Sequence, residues 1–129
     1  VFSGAGLDLL SVEIEVCGGS LIVAKFQQTS QRLKYSLIPT VAAVRGMALG
    51  GACEFIMHCD RAVTALESYI GLVEVGVGLI PAGGGTKEML ARAMEDLPSP
   101  RADLLPFVQR VFETIGFGKG ERPGMIPGD

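Results

Sequence analysis

Apolar and polar residues alternate between Ser11 and Val16, with Val12, Ile14 and Val16 on one side and Ser11, Glu13 and Glu15 on the other. That is the period of a half-buried strand. Over residues 23–35 the rhythm changes, and Val23, Phe26 and Leu33 recur among Gln, Thr and Lys as on an amphipathic helix that Pro39 ends. Residues 40–44 form a short β-branched run that predicts a buried strand, with Gly46 as the turn after it. Gly50 and Gly51 then open a helix over residues 52–59. Residues 61–66 read as a further strand, residues 69–72 as another, and residues 75–85 as a glycine-rich loop containing Pro81. A helix over 86–94 follows with Thr86 as its N-cap. Pro98 and Pro100 mark a linker, and Leu104, Leu105, Val108, Val111, Phe112 and Ile115 return at helical spacing before an irregular tail from Gly116. Strands and helices in alternation favour an α/β fold.

Composition narrows the picture. The chain has 129 residues, 48% of them hydrophobic and 19% charged, which suits one globular domain. A net charge of -3 with scattered basic residues argues against nucleic acid or an anionic membrane as a partner. The longest apolar stretch, residues 38–57, contains Arg45 and Glu54, so it does not read as a membrane span. Three cysteines, Cys17, Cys53 and Cys59, lack CxxC spacing and suggest neither a disulfide framework nor a zinc site, which makes a reducing cytoplasm the expected location. The opening residues have neither an initiator Met nor a basic leader, as expected for a piece of a longer protein.

Chemistry concentrates in the run from Val41 to Glu54, where a strand passes through two glycine turns into a helix N-terminus. Free N–H groups at such a terminus stabilise an anion. Glu54, three residues after Gly51, is expected on roughly the face of that amide, so a donor and a carboxylate would address one small volume. Proton transfer next to a carbonyl needs that pairing. The alternative is a Glu placed in a first helical turn by the helix dipole alone, with glycines serving only the turn. Glu74, between Val73 and Val75, is either a buried carboxylate with a raised pKa or the outward residue of an alternating strand.

Other signals are weaker. The run Gly83-Gly-Gly-Thr-Lys87 lacks the order of a phosphate loop, and Gly76-Val-Gly78 lacks the third glycine of a dinucleotide site. His58 and Cys59, with Cys53 and Asp60 nearby, do not converge as metal ligands, because adjacent helical residues point about 100 degrees apart. Both cysteines read as packing residues. Lys25, Arg32 and Lys34 read as a solvated helix face, with CoA phosphates as the alternative partner.

Segments 41–60 and 69–86 resemble the enoyl-CoA hydratase/isomerase, or crotonase, superfamily, most nearly the hydratase-type domain of bifunctional 3-hydroxyacyl-CoA dehydrogenases. The resemblance rests on Gly50-Gly51, Glu54, Asp60, Gly71-x-x-Glu74 and Ile80-Pro-x-x-Gly-Gly-Thr86. It implies a repeated ββα spiral, present here as a partial domain with a linker, helix and irregular tail over 95–129. It also implies hydration of 2-enoyl-CoA thioesters in fatty-acid β-oxidation, with Glu54 and Glu74 as the catalytic pair. Gly51 matches the second oxyanion amide. The segment Phe2-Ser-Gly-Ala-Gly-Leu-Asp-Leu9 resembles the first oxyanion segment with its spacing changed by one. Matching Gly-x-Asp places the donor at Leu7, and a gapless match places it at Gly6. Gly6, Asp8, Gly50 and Gly78 are the implied substrate contacts. No metal or cofactor is implied for this domain, since coenzyme A arrives with the substrate and NAD belongs to a separate domain in the bifunctional relatives. The resemblance further implies homo-oligomers, as trimers or hexamers. Ala52 stands where a third glycine is common, and the family's earlier strands and later helices are absent from the sequence. An isomerase and a catalytically incomplete CoA-binding fragment are the alternative readings.

Overall fold

The computed structural model describes residues 19–118 apart from 96 and 100. In chain order the elements are α1 (Gly19–Lys34), β1 (Val41–Val44), β2 (Met47–Leu49), α2 (Gly51–Met57), β3 (Arg61–Thr64), β4 (Tyr69–Gly71), a 3-10 turn (Glu74–Val77), α3 (Gly85–Glu95) and α4 (Leu105–Gly116).

Two short parallel ladders form the centre: β1 pairs with β3, placing Val41 beside Arg61, and β2 pairs with β4, placing Met47 beside Tyr69. A parallel pair cannot be joined by a hairpin, so the chain must leave the ladder and return. It does so through α2, and the order strand, strand, helix therefore occurs twice, with the second pair of strands lying on the first. Gly46, at φ 77, makes the corner between β1 and β2, and its carbonyl accepts from Tyr69 N.

The core between ladders and helices is built from small residues. Ala42, Val44 and Ala48 from the strands meet Ile56 of α2, with Ala52, Cys59 and Ile70 packed around them. Alternation in β1 turns Ala42 and Val44 inward and leaves Val41 outward. Thr40 and Asp60 tie the entries of β1 and β3 together, since the Asp60 carboxylate accepts from Thr40 N at 2.7 Å and from Thr40 Oγ1 at 3.0 Å. Those hydrogen bonds hold the Asp60 pKa below the ordinary carboxylate range. α4 packs on α3 and buries Val111.

Several boundaries differ from the sequence expectations. The turn region after Gly46 contains a strand, β2, whose three residues gain that conformation by pairing with β4. Strand β3 stops at Thr64 and α2 at Met57, and the expected loop over 75–85 begins inside a 3-10 turn. Thr86 is not an N-cap: it lies within the first turn of α3, where its hydroxyl donates back to Pro81 O at 3.5 Å. The expected strand at 11–16 and most of the tail lie outside the described residues.

Candidate active site

The site lies where β2 ends and the second ββα turn brings α3 against α2. Leaving β2, the chain passes through Gly50 at φ 57 and ψ -124, a conformation that an L side chain avoids. Gly50 N donates to Gly71 O at 2.9 Å, which fixes this corner to the end of β4. Gly51 begins α2, so its N–H belongs to the helical turn that has no acceptor within the helix.

Glu54 is only 4% exposed. Sequence spacing puts Glu54 on roughly the face of the Gly51 amide without assigning its carboxylate a partner; Oε1 accepts from Gly85 N at 2.8 Å, at the first residue of α3. Gly83 and Gly84 N–H groups also face it. Burial raises the Glu54 pKa, and these amides, with His58 nearby, partly oppose that rise. The glycines are required for the approach, because a Cβ on Gly85 would stand 2.9 Å from Glu54 Oε1 and one on Gly83 would overlap Oε2.

Glu74 is 6% exposed and opens the 3-10 turn, so it is a buried carboxylate and not the outward residue of a strand. Its Oε1 lies against Gly50, 3.3 Å from where a Cβ would stand, and its Oε2 is buried with no hydrogen-bond partner. Desolvation raises its pKa, its own N–H and that of Val73 oppose the rise, and the charge of Glu54 adds to it. Two acids that sense each other titrate as a pair. Gly78, at φ 76, ends the turn in the left-handed region, with open space where its Cβ would lie. Leu7, Gly6 and Asp8 lie outside the described residues.

Cys53 is buried beside Glu54 in α2, and its thiol is pushed up to about 12, first by burial and then by the charges of Glu74 and Glu54. It is a packing residue, not a nucleophile. No group of three metal-ligating side chains occurs among the described residues. Lys34 is not a free cation, since its Nζ contacts both oxygens of Glu88 at 2.8 Å. No helix among the described residues is long and apolar enough to cross a membrane.

Two contributors to the site are not among the candidates that the sequence offers. One is the amide row Gly83–Gly85, which the sequence shows only as a motif that lacks the order of a phosphate loop; three glycines ahead of a helix are the signal for an anion at its N-terminus. The other is Phe26 of α1, whose ring covers Gly51 and Gly83 and stacks on Phe55 with centroids 4.2 Å apart. Gln27 fastens the same helix to the loop through a 2.7 Å bond to Ala82 O.

This fold and paired-carboxylate site define the class: the family model for enoyl-CoA hydratase/isomerase matches residues 1–97, and the chain belongs to that family. Among curated relatives, a "Probable 3-hydroxyacyl-CoA dehydrogenase" of Bacillus subtilis (strain 168) is 38% identical over 119 residues, covering 90% of this chain and 15% of the relative. The mitochondrial methylglutaconyl-CoA hydratase of Homo sapiens is 46% identical over 52 residues, covering 40% of this chain and 15% of that protein. Among solved structures, an enoyl-CoA hydratase from Bacillus anthracis superposes with a TM-score of 0.69 at 27% identity, covering 90% of this chain and 40% of that one. The chain thus comprises part of a crotonase fold, and it spans a minor share of each of these relatives.

Proposed function

We propose that these residues form the catalytic centre of an enoyl-CoA hydratase, adding water to the double bond of a 2-enoyl-CoA thioester. The observation that carries this reading is the pair of buried carboxylates, Glu54 and Glu74, flanking the start of α2 with both pKa values raised. Glu54 has amide donors that favour its charged form, whereas Glu74 leaves one oxygen unpartnered in the interior. The base role therefore falls to Glu54 and the acid role to Glu74. In the forward direction Glu54 takes a proton from water as its oxygen bonds to C3 of the substrate. The electron pair of the double bond moves onto the thioester oxygen, where the Gly51 amide and the Leu7 amide stabilise the enolate. Glu74 delivers a proton to C2 on the same face, giving syn addition.

The substrate carries coenzyme A, and no further cofactor enters the reaction. Exposed Leu37, Ile38, Val63, Leu66 and Phe112 support a homo-oligomer, a trimer or a pair of trimers, which sedimentation equilibrium tests. A cytoplasmic setting belongs to the same proposal.

Hydration of crotonyl-CoA, followed by loss of the enone absorbance, tests the assignment. Glu54→Gln and Glu74→Gln should each lower kcat by about 10²–10⁴, with thioester binding retained. Near-normal turnover in either variant removes its role. Conversion of 3-enoyl thioesters without net water addition would replace the hydratase reading by the isomerase one.

A further inference from the structure

His58, at the end of α2, is buried and has no part in the acid–base chemistry above. The last turn of α2 tightens, so His58 N donates to Phe55 O at 3.1 Å and leaves the carbonyl of Glu54 without its usual backbone donor. The imidazole supplies the missing bond: Nδ1 lies 2.7 Å from Glu54 O. A carbonyl oxygen only accepts, so Nδ1 carries the proton and donates.

The same ring braces the amides that hold the Glu54 carboxylate. A Cβ on Gly84 would stand 2.8 Å from His58 Cε1, and Gly84 itself takes φ 120, so only glycine lets this loop lie on the ring. Nε2 faces Glu88 Oε1 at 3.5 Å, and Glu88 sits in the first turn of α3, beside Gly85. Glu88 is in turn gripped by Lys34 of α1 and by Lys87. Thus one imidazole touches the main chain of Glu54, the loop carrying two of its amide donors and the helix carrying the third.

We propose that His58 is a positioning residue for Glu54, aiming its carboxylate at the amides of Gly83–Gly85 by holding the Glu54 carbonyl and the glycine loop at once. The inference rests on the acid–base reading of Glu54, and it concerns how that carboxylate is held.

Two substitutions test it in this protein. Asn can place its amide nitrogen where Nδ1 lies and donate to the same carbonyl, whereas Leu fills the space and cannot donate. His58→Leu should lower kcat for crotonyl-CoA by about 10–100-fold with KM little changed, because a small misplacement of a catalytic group has that cost. It should also move the Glu54 titration upward, as read by carbon NMR of labelled glutamate side chains. His58→Asn should restore most of both. Both variants lack the imidazole, while Glu74, Cys53, Glu88, Lys34 and Lys87 are common to them, so any difference between them isolates the hydrogen bond. Equal behaviour of two folded variants, whether both normal or both impaired, overturns the proposal. If the Leu variant does not fold, His58→Met, which likewise cannot donate, takes its place in the same comparison with Asn. Absence of hydration in the unsubstituted protein would refute the hydratase reading, while the Glu54 titration would still report whether His58 aims the carboxylate.

Discussion

Glu74→Gln should make the protein more stable at neutral pH while disabling the proposed reaction. The carboxyl group is buried, its Oε2 has no partner, and the charge of Glu54 acts on it. Its folded-state pKa therefore lies above the value in the unfolded chain. As pH rises past the ordinary carboxylate range, the unfolded chain releases this proton first, and the folded state loses stability until pH passes the raised value. Above that point the cost is fully present. Burial of an unpaired ion costs several kcal/mol even after relaxation, whereas an unpaired neutral amide costs about 1–3 kcal/mol. The neutral isostere should gain about 1–2 kcal/mol near neutrality, and almost nothing at the acid end, where Glu74 already carries its proton. For a chain of this length that is a rise in Tm of roughly 4–8 °C. Urea denaturation of both proteins from about pH 5 to about pH 8 reads the difference directly. A stability difference that stays flat with pH would refute the burial argument, whatever happens to turnover.

Gly83→Ala should destabilise the fold by about 1–3 kcal/mol, because the new Cβ would overlap both the Phe26 ring and Glu54 Oε2; an unchanged urea midpoint would show that α1 does not cover this loop. Cys53 should resist iodoacetamide in the native protein, since a thiol pushed up to about 12 is ionised in only about one molecule in 10⁵ at neutral pH. Mass spectrometry of timed labelling checks this, and modification of Cys53 as fast as in the urea-unfolded chain would contradict its burial. Glu88→Gln should lose stability at neutral pH and converge with the native protein in acid. Burial opposes ionisation there, but Lys34 and Lys87 together hold the pKa below its ordinary value, so the benefit exists above the ordinary carboxylate range and disappears as pH falls. A stability gap that persists in acid would show that these lysines do not act through the carboxylate charge.

Apolar spacing, punctuated by glycine and proline, was enough to locate α1, β1, α2, β3, β4, α3 and α4 to within a few residues. It could not find β2: Met47, Ala48 and Leu49 are three residues between glycine turns, and what makes them a strand is the β4 partner more than twenty positions later. The two carboxylates and the Gly50-Gly51 turn were also legible, as residue types at family spacing. Their partners were not. Glu54 satisfies its carboxylate at Gly85, and His58 turns back to the Glu54 carbonyl only because α2 tightens at its end. Each of these depends on how one ββα turn stacks on the next, which a one-dimensional pattern does not encode.

That stacking also explains why the site needs so many glycines. A buried carboxylate stays poised for proton exchange only if burial raises its pKa while a few donors keep the charged form accessible. For Glu54 those donors are the backbone amides of Gly83, Gly84 and Gly85, which come within reach only because no Cβ intervenes. The start of α3 is thereby committed to a resident anion. The start of α2 is not: Gly51 N–H makes no hydrogen bond outside its helix among the described residues, and the Phe26 ring beside it offers no acceptor oxygen. In the hydration proposed above, the start of α3 holds the protein's own carboxylate, and the start of α2 is the end assigned to the oxygen that gains charge during reaction.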